Sequence, residues 1–287
     1  MIRSLLGGAV LAAALVAGPF SPAAAQNAAP DGAPTAACLS RFKPVALPVH
    51  RGDDAAGQQI LICRPGYVLS FNKVTRNPDW VVERLTPAAL KGGAKRSDKF
   101  LTDTAAQGFS PTAQDYSDPA NPRDRGHQAP AADFKFSQPQ TNDSFYMTNM
   151  SPQVGPGFNR AQWRFLEEDV RAAVLCGGHE DVIVITGPIY GSSGTWIGRN
   201  KTKILSPAAY FKILYDVRTG RAVGFRLDNK AYKKTPTDTF IAPIADLEVE
   251  TGLNFFADLS RRDQNLLERR KGVFWGHGQA CANTVKE

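Results

Sequence analysis

The chain has 287 residues, of which 43% are hydrophobic, 21% charged and 9% aromatic. That is ordinary globular composition, which excludes collagen, a disordered chain and a coiled coil, and the length allows a full hydrophobic core. The 34 Lys and Arg against 27 Asp and Glu leave a formal charge of +7, which points to an anionic partner without separating nucleic acid from anionic lipid.

Arg3 precedes an apolar run over residues 5–17, and Pro19 and Pro22 lead into Ala23-Ala24-Ala25. A charged start, a short apolar middle and small residues at A-x-A spacing predict a signal peptide over residues 1–25, hence an exported protein, periplasmic or secreted. The run is shorter than the ~20 apolar residues that cross a bilayer, and no later segment comes closer, so no membrane span is expected. Residues 26–56, small and Pro-rich at their start, are predicted as a flexible N-terminal arm, and 57–287 as a single folded domain. The remaining cysteines are Cys38, Cys63, Cys176 and Cys281. In an exported chain an even count suggests two disulfides, for which three connectivities exist. Cys38–Cys63 with Cys176–Cys281 is preferred, because it ties down the arm and the tail.

Short apolar runs bounded by turn residues predict strands over 59–63, 67–71, 80–85 and 145–150, with 86–123 as loop. Over 159–175, Trp163, Leu166, Val170 and Ala173/Val174 recur at three- and four-residue spacing, which predicts a helix ended by Gly177-Gly178. A buried strand is expected over 182–186, a hairpin over 210–227 turning at 218–221, and a helix over 244–251. Residues 187–194 read as a flexible surface loop, and 261–271 as a basic tail. The fold class is therefore α+β, with a mostly antiparallel sheet and no internal repeat.

Phosphate-loop, serine-hydrolase elbow and zinc-protease motifs are absent. What stands out is Asp124-Arg125-Gly126-His127, followed by Asn149-Met150-Ser151-Pro152-Gln153 and by Asn159-x-x-x-Trp163-x-x-x-Glu167. In this order and spacing, over residues 67–256, the chain resembles the DNA/RNA non-specific endonucleases. These are the ββα-metal nucleases that include the Serratia nuclease and endonuclease G. The resemblance implies that a ββα-metal motif carries the active site and that Mg²⁺ is the cofactor, with Mn²⁺ as the alternative. It implies His127 as general base, Asn159 as direct metal ligand and Glu167 as a carboxylate acting through the ion's waters. Arg125 would clamp the scissile phosphate. The products would carry 5′-phosphate and 3′-hydroxyl ends.

Physical chemistry runs the same way. Phosphodiester hydrolysis needs an activated water and neutralised phosphoryl charge. A histidine with an ordinary pKa near ~6.5 accepts a proton at neutral pH. Mg²⁺ keeps several waters, so few protein ligands suffice. If Asn159 and Glu167 share one helix, they stand about 80° apart around it and ~12 Å along it. Arg171, four residues further, matches a family arginine and reads equally as a neighbouring-phosphate ligand or a solvated helix-face arginine. Arg96 is a candidate for an upstream substrate-binding arginine, with Lys95 an equal one. Asn149 and Gln153 stay unassigned, and His50, His179 and His277 read as surface residues. The expected partners are DNA and RNA backbones, with a dedicated inhibitor protein as a further one. The rival reading is a non-catalytic, basic nucleic-acid-binding protein of the periplasm, which has no need of His127, Asn159 and Glu167 together.

Overall fold

The computed structural model describes residues 32–52, 57–192, 194–199 and 203–276. The expected signal peptide, His277 and Cys281 lie outside the described residues. The strands are β1 (Val49–His50), β2 (Gln59–Cys63), β3 (Tyr67–Asn72), β4 (Asn77–Leu85), β5 (Asp124–His127), β6 (Met150–Gln153) and β7 (Val182–Ile189). After them come β8 (Thr195–Ile197), β9 (Ile204–Ser206), β10 (Ala209–Asp216), β11 (Arg221–Asp228), β12 (Ile241–Ala242) and β13 (Leu253–Asn254). The helices are α1 (Ala36–Leu39), α2 (Pro87–Leu90), α3 (Gln138–Asp143), α4 (Arg164–Cys176), α5 (Ile244–Thr251) and α6 (Arg261–Glu268). No helix among the described residues is long and apolar enough to cross a membrane.

The predicted α+β class holds. A 7-stranded sheet runs β12-β11-β10-β7-β4-β3-β2, with every neighbouring pair antiparallel. Its central strand is buried on both faces. Val182 and Val184 pack with Tyr210 and Leu214 beneath Trp163, Leu166 and Val170, so α4 covers that face. Ile183, Ile185 and Ile189 turn the other way, onto Ile244 and Leu247 of α5 and onto Phe255 and Phe256. Double coverage is why β7 reads as an unbroken apolar run rather than an alternating one. It also explains why Gly187 belongs to the strand and not to the surface loop expected over 187–194.

Three expectations need correction. The arm is not free over its second half. Cys38, Phe42 and Val45 are core residues, Cys38 is disulfide-bonded to Cys63 of β2, and β1 pairs with β13. Three spaced apolar anchors outweigh the small-residue composition around them. Cys176 is also disulfide-bonded, but its expected partner, Cys281, lies outside the described residues. The strand expected over 145–150 is instead a 3₁₀ turn, Met147–Asn149, leading into β6. Phe145, Met147 and Met150 are all fully buried there, and a short apolar run does not by itself distinguish strand from buried turn. Finally, the stretch 86–123 is not all loop: it opens with α2, holds 3₁₀ turns at Thr104–Ala106 and Ala113–Tyr116, and is anchored to the body. Asp103, fully buried, accepts hydrogen bonds from Arg64 Nη2 at 2.7 Å and Thr148 Oγ1 at 2.5 Å.

Candidate active site

The D-R-G-H segment forms β5 and pairs with β6 in the register Asp124–Gln153, Arg125–Pro152, Gly126–Ser151 and His127–Met150. Alternation along an extended segment gives Arg125 and His127 a common direction. Gly126 is dictated by a close approach. A Cβ there would lie 2.1 Å from Gln153 Oε1, so any side chain displaces the buried Gln153. The hairpin is anchored to the large sheet through polar contacts. Ser151 Oγ lies 2.8 Å from both Asn77 Oδ1 and Tyr210 OH, and Tyr210 OH also lies 2.8 Å from the Pro152 carbonyl. Asn149 closes the hairpin's far end: its Nδ2 donates to the carbonyls of Ala129 and Ser144, and its Oδ1 accepts from Ala129 N. Asn149 and Gln153 thus serve the scaffold.

Asn159 and Glu167 do not share one regular helix. A wide, π-type turn over Gly155–Trp163 precedes α4, with non-helical backbone at Pro156 and Gly157. Gly157 has φ +77° and packs against the chain at Ala231, a conformation and a contact that exclude side chains. Asn159 sits in the wide turn and Glu167 in the first turn of α4. The amide of Asn159 is held from β5: its Nδ2 donates to Asp124 Oδ2 at 2.9 Å. The other donors on Asp124 are Arg160 Nε at 2.7 Å and Arg160 Nη2 at 2.6 Å. Burial alone would raise the Asp124 carboxyl, but Arg160 and the Asn159 amide outweigh it and hold it below its usual range.

These elements enclose a cleft of about 580 Å³. Arg96, Arg125, His127, Asn159 and Glu167, five of the six expected site residues, line it together. His127 packs edge-on against Phe145 with centroids 4.8 Å apart and lies 5.9 Å from Phe100. Its Nε2 has no hydrogen-bond partner among the described residues. Burial, and then the charges of Arg96 and Arg125, hold its imidazole at about 3. His127 is therefore neutral at physiological pH. Arg125 stacks over Phe100 at 4.0 Å, and Arg96 over Phe145 at 5.1 Å.

Among the described residues no three His, Cys, Asp or Glu side chains cluster as a metal cage. The oxygen donors present nevertheless fit a largely hydrated divalent ion. With its Nδ2 donating to Asp124, the Asn159 amide keeps its carbonyl oxygen as the atom able to ligate an ion, and the Glu167 carboxylate lines the same cleft. Hard oxygen donors in small number suit Mg²⁺ better than a soft metal.

Arg171 does not belong to the cleft. It is completely buried and donates from Nη1 to Asp133 Oδ1 at 2.9 Å. Neither reading from the sequence, phosphate ligand or solvated helix-face arginine, matches that position. α4 turns this face inward, toward a buried charged group that sequence periodicity did not flag. Beneath the helix, Glu83 of β4 and Lys212 of β10 stand opposite Val184 and Thr186 of β7. Lys212 Nζ donates to Thr186 Oγ1 at 2.7 Å. Burial, and next the charge of Asp133, pushes the Glu83 carboxyl well above its ordinary value.

The choice between Arg96 and Lys95 falls to Arg96, since Lys95 is not in the cleft wall. Residues that sequence reasoning missed are Arg123, Arg160 and Arg164, which also line the cleft, and the phenylalanines that seat His127. Arg160 had a signal, its adjacency to Asn159. Phe100 had none. Of the basic tail, α6 and the residues after it stay outside the cleft lining. His50 bonds Asp79 at 3.1 Å, and His179 bonds Asp216 at 2.6 Å and stacks on Trp275, so neither is a loose surface residue.

Known proteins are similar to this chain in sequence and fold. The family described as DNA/RNA non-specific endonuclease matches residues 49–262. Nuclease C1 of Cunninghamella echinulata var. echinulata is 36% identical over 223 residues, covering 72% of this chain and 86% of its own. Human mitochondrial endonuclease G is 31% identical over 217 residues, covering 71% of each chain. A chain of the crystal structure of the EndoG/EndoGI complex superposes with a TM-score of 0.64 at 29% identity, covering 72% of this chain and 89% of that one. Sequence, fold and cleft agree, and the chain belongs to the DNA/RNA non-specific endonuclease family of metal-dependent nucleases.

Proposed function

We propose that this protein is an exported, Mg²⁺-dependent endonuclease that hydrolyses DNA and RNA without base or sugar preference and leaves 5′-phosphate ends. The observation that carries the reading is the gathering of His127, its Nε2 without a partner among the described residues, in one cleft with Arg125, Arg96, Asn159 and Glu167.

His127 takes a proton from the attacking water as its oxygen closes on phosphorus. The bond from phosphorus to the 3′ oxygen breaks, the 3′ oxygen is protonated from solvent, and the phosphate stays on the 5′ side. Arg125, held flat on Phe100, presents its guanidinium to the phosphoryl oxygens, where charge grows in the transition state. Arg96, paired with Asp98, adds a second cation to the cleft. Asn159, through its carbonyl oxygen, and Glu167 would hold the divalent ion, which supplies charge neutralisation at the phosphate and the leaving oxygen. Every residue in this scheme addresses phosphate, water or ion, and none reads a base edge, which supports acceptance of both nucleic acids.

Export rests on the leader-like residues 1–25, and the periplasm or the medium is the proposed address. The likeness to a chain from an endonuclease–inhibitor complex supports an inhibitor protein as a partner. The test is digestion of plasmid, single-stranded DNA and RNA by the purified protein with Mg²⁺ and with a chelator, followed by end-labelling of the products. Cleavage of all three, lost on chelation and leaving 5′-phosphates, is expected. Activity on one sugar only, or undiminished by chelator, would overturn the proposal.

A further inference from the structure

The active-site cleft does not end at the catalytic residues. It opens into a second groove of about 670 Å³, and the two share Tyr116, Ser117, Arg123, Asp124 and Arg160 as a common wall. Pro119, Pro122, Val154 and Pro156 are among the residues that line the second groove and not the first. Two arginines therefore stand at the junction, outside the set that the hydrolytic scheme uses.

Arg160 is held along one edge and Arg123 at two separate nitrogens, and each keeps further N–H donors. Arg160 gives Nε and one Nη2 proton to Asp124, and its side chain is 66% exposed. Arg123 donates from Nε to Ser206 Oγ at 3.3 Å and from Nη1 to the Pro122 carbonyl at 2.9 Å. A guanidinium carries five N–H donors, so each arginine keeps three. Pre-positioned in this way, each loses little side-chain entropy when it takes up an anion. Tyr116, 4% exposed in the shared wall, has a buried hydroxyl with no hydrogen-bond partner among the described residues. Two acidic groups oppose this charge: Asp124 pairs with Arg160, and Asp118, whose Oδ1 accepts from Ala120 N at 2.9 Å, lies in the lining of the second groove only.

The backbone spacing fits a phosphate chain. Arg123, Arg125 and His127 follow one another at alternate positions leading into and along β5, a step of ~6.5–7 Å in extended chain. That is close to the separation of successive phosphates on an extended polynucleotide strand. We propose that Arg123 and Arg160 form a second phosphate subsite, which holds the phosphodiester neighbouring the cleaved one on the same strand. The inference rests on the nuclease reading of the cleft and adds to it a strand path through the second groove.

The test separates the two. A fluorescent single-stranded 12-mer is titrated by anisotropy in chelator, where no cleavage occurs, across a salt series. KM is then measured with Mg²⁺ on the same oligonucleotide and on a nucleoside p-nitrophenyl phosphodiester, which has a single phosphate. Arg123→Gln should weaken 12-mer binding about tenfold, the loss of one charge-assisted contact, and lower the slope of log K against log salt by ~0.7. It should also raise the ratio of KM values, oligonucleotide over ester. Arg123→Lys, which keeps the point charge, should restore the salt slope. Replacing the neighbouring phosphate with a neutral methylphosphonate should weaken the wild type and leave Arg123→Gln indifferent. Unchanged 12-mer affinity and slope in Arg123→Gln, or equal losses on oligonucleotide and ester, would overturn the subsite. If the wild type cleaves neither substrate, the hydrolytic reading fails, while the anisotropy result still decides the subsite.

Discussion

Asp124 controls which end of the Asn159 amide faces the cleft, and removing its carboxylate tests the proposed metal site without touching a ligand. Asp124→Ala deletes three hydrogen bonds, one from Asn159 Nδ2 and two from Arg160. The Arg160 bonds are cheap to lose. With 66% of that side chain exposed, water replaces them and the ion pair contributes about 0–1 kcal/mol. The half-buried Asn159 amide adds about 1 kcal/mol. Together these shift the melting temperature by only a few degrees in a domain of this size. The effect on the ion is larger. A freed amide samples both flips, and in one of them it turns NH₂ toward a cation. Loss of an orienting partner of this kind costs about 10–100-fold in metal affinity.

The assay is calorimetric titration of Mg²⁺, or of Mn²⁺ followed by electron paramagnetic resonance, into protein without substrate, run beside thermal melts. Asp124→Ala should show the 10–100-fold loss with a nearly intact fold. Asp124→Asn, which keeps an acceptor oxygen but loses the charge, should fall between. Wild-type ion affinity in Asp124→Ala would show that the Asn159 carbonyl is not the ligand, or that something other than Asp124 orients it.

His127→Ala should retain its fold and lose ~10²–10⁴-fold in turnover; near-normal rates would end the general-base assignment. With its folded value lowered to about 3, the His127 ring should stay neutral at pH 5 by NMR, where an ordinary histidine is charged. Because the unfolded chain then binds the extra proton, this group should destabilise the fold as pH falls from ~6.5 toward 3. Arg171→Met removes the cation from a buried pair with Asp133 and should cost ~3–5 kcal/mol in denaturant unfolding; unchanged stability with a raised KM would return Arg171 to the substrate. Glu83→Gln should be near neutral at pH 4 and stabilising at pH 8. The raised folded value of Glu83 means its contribution is full below the ordinary carboxylate range and is lost as pH rises. Equal melting shifts at both pH values would contradict it.

How far the sequence carried depended on what each signal measures. Asp124-Arg125-Gly126-His127 was legible because strand alternation and local spacing decide which side chains point together, and both are written in consecutive residues. The helix 244–251 and the strand 59–63 were legible for the same reason, apolar period and bounding turns. Asn159 was found, but its setting was not, since the wide turn depends on Gly157 meeting Ala231, a contact from the other side of the molecule. Arg171 shows the limit most clearly. Its spacing from Glu167 places it on the same helical stripe, yet whether that stripe faces water or the sheet depends on Asp133, brought in from another element. Phe100 was invisible because it lies in a long connection whose path is set by the buried Asp103–Arg64 pair.

Those two aspartates also explain how a small hairpin and a helix keep catalytic geometry together. Asp124 opens β5 and reaches across to Asn159 and Arg160, just ahead of α4. Asp133 lies in the 3₁₀ turn six residues after His127 and reaches Arg171, one helical turn beyond Glu167. The strand that carries His127 is thus tied to the helix that carries Glu167 on both sides of the reacting centre. The two ties differ in kind. The first is partly exposed, and its loss leaves a loose amide. The second is buried, and its loss leaves a charge without its cation in the protein interior. A rotation of α4 that carried Glu167 away from the cleft would have to break the second. The stability held in Arg171–Asp133 therefore sets the position of Glu167, although neither residue lines the cleft.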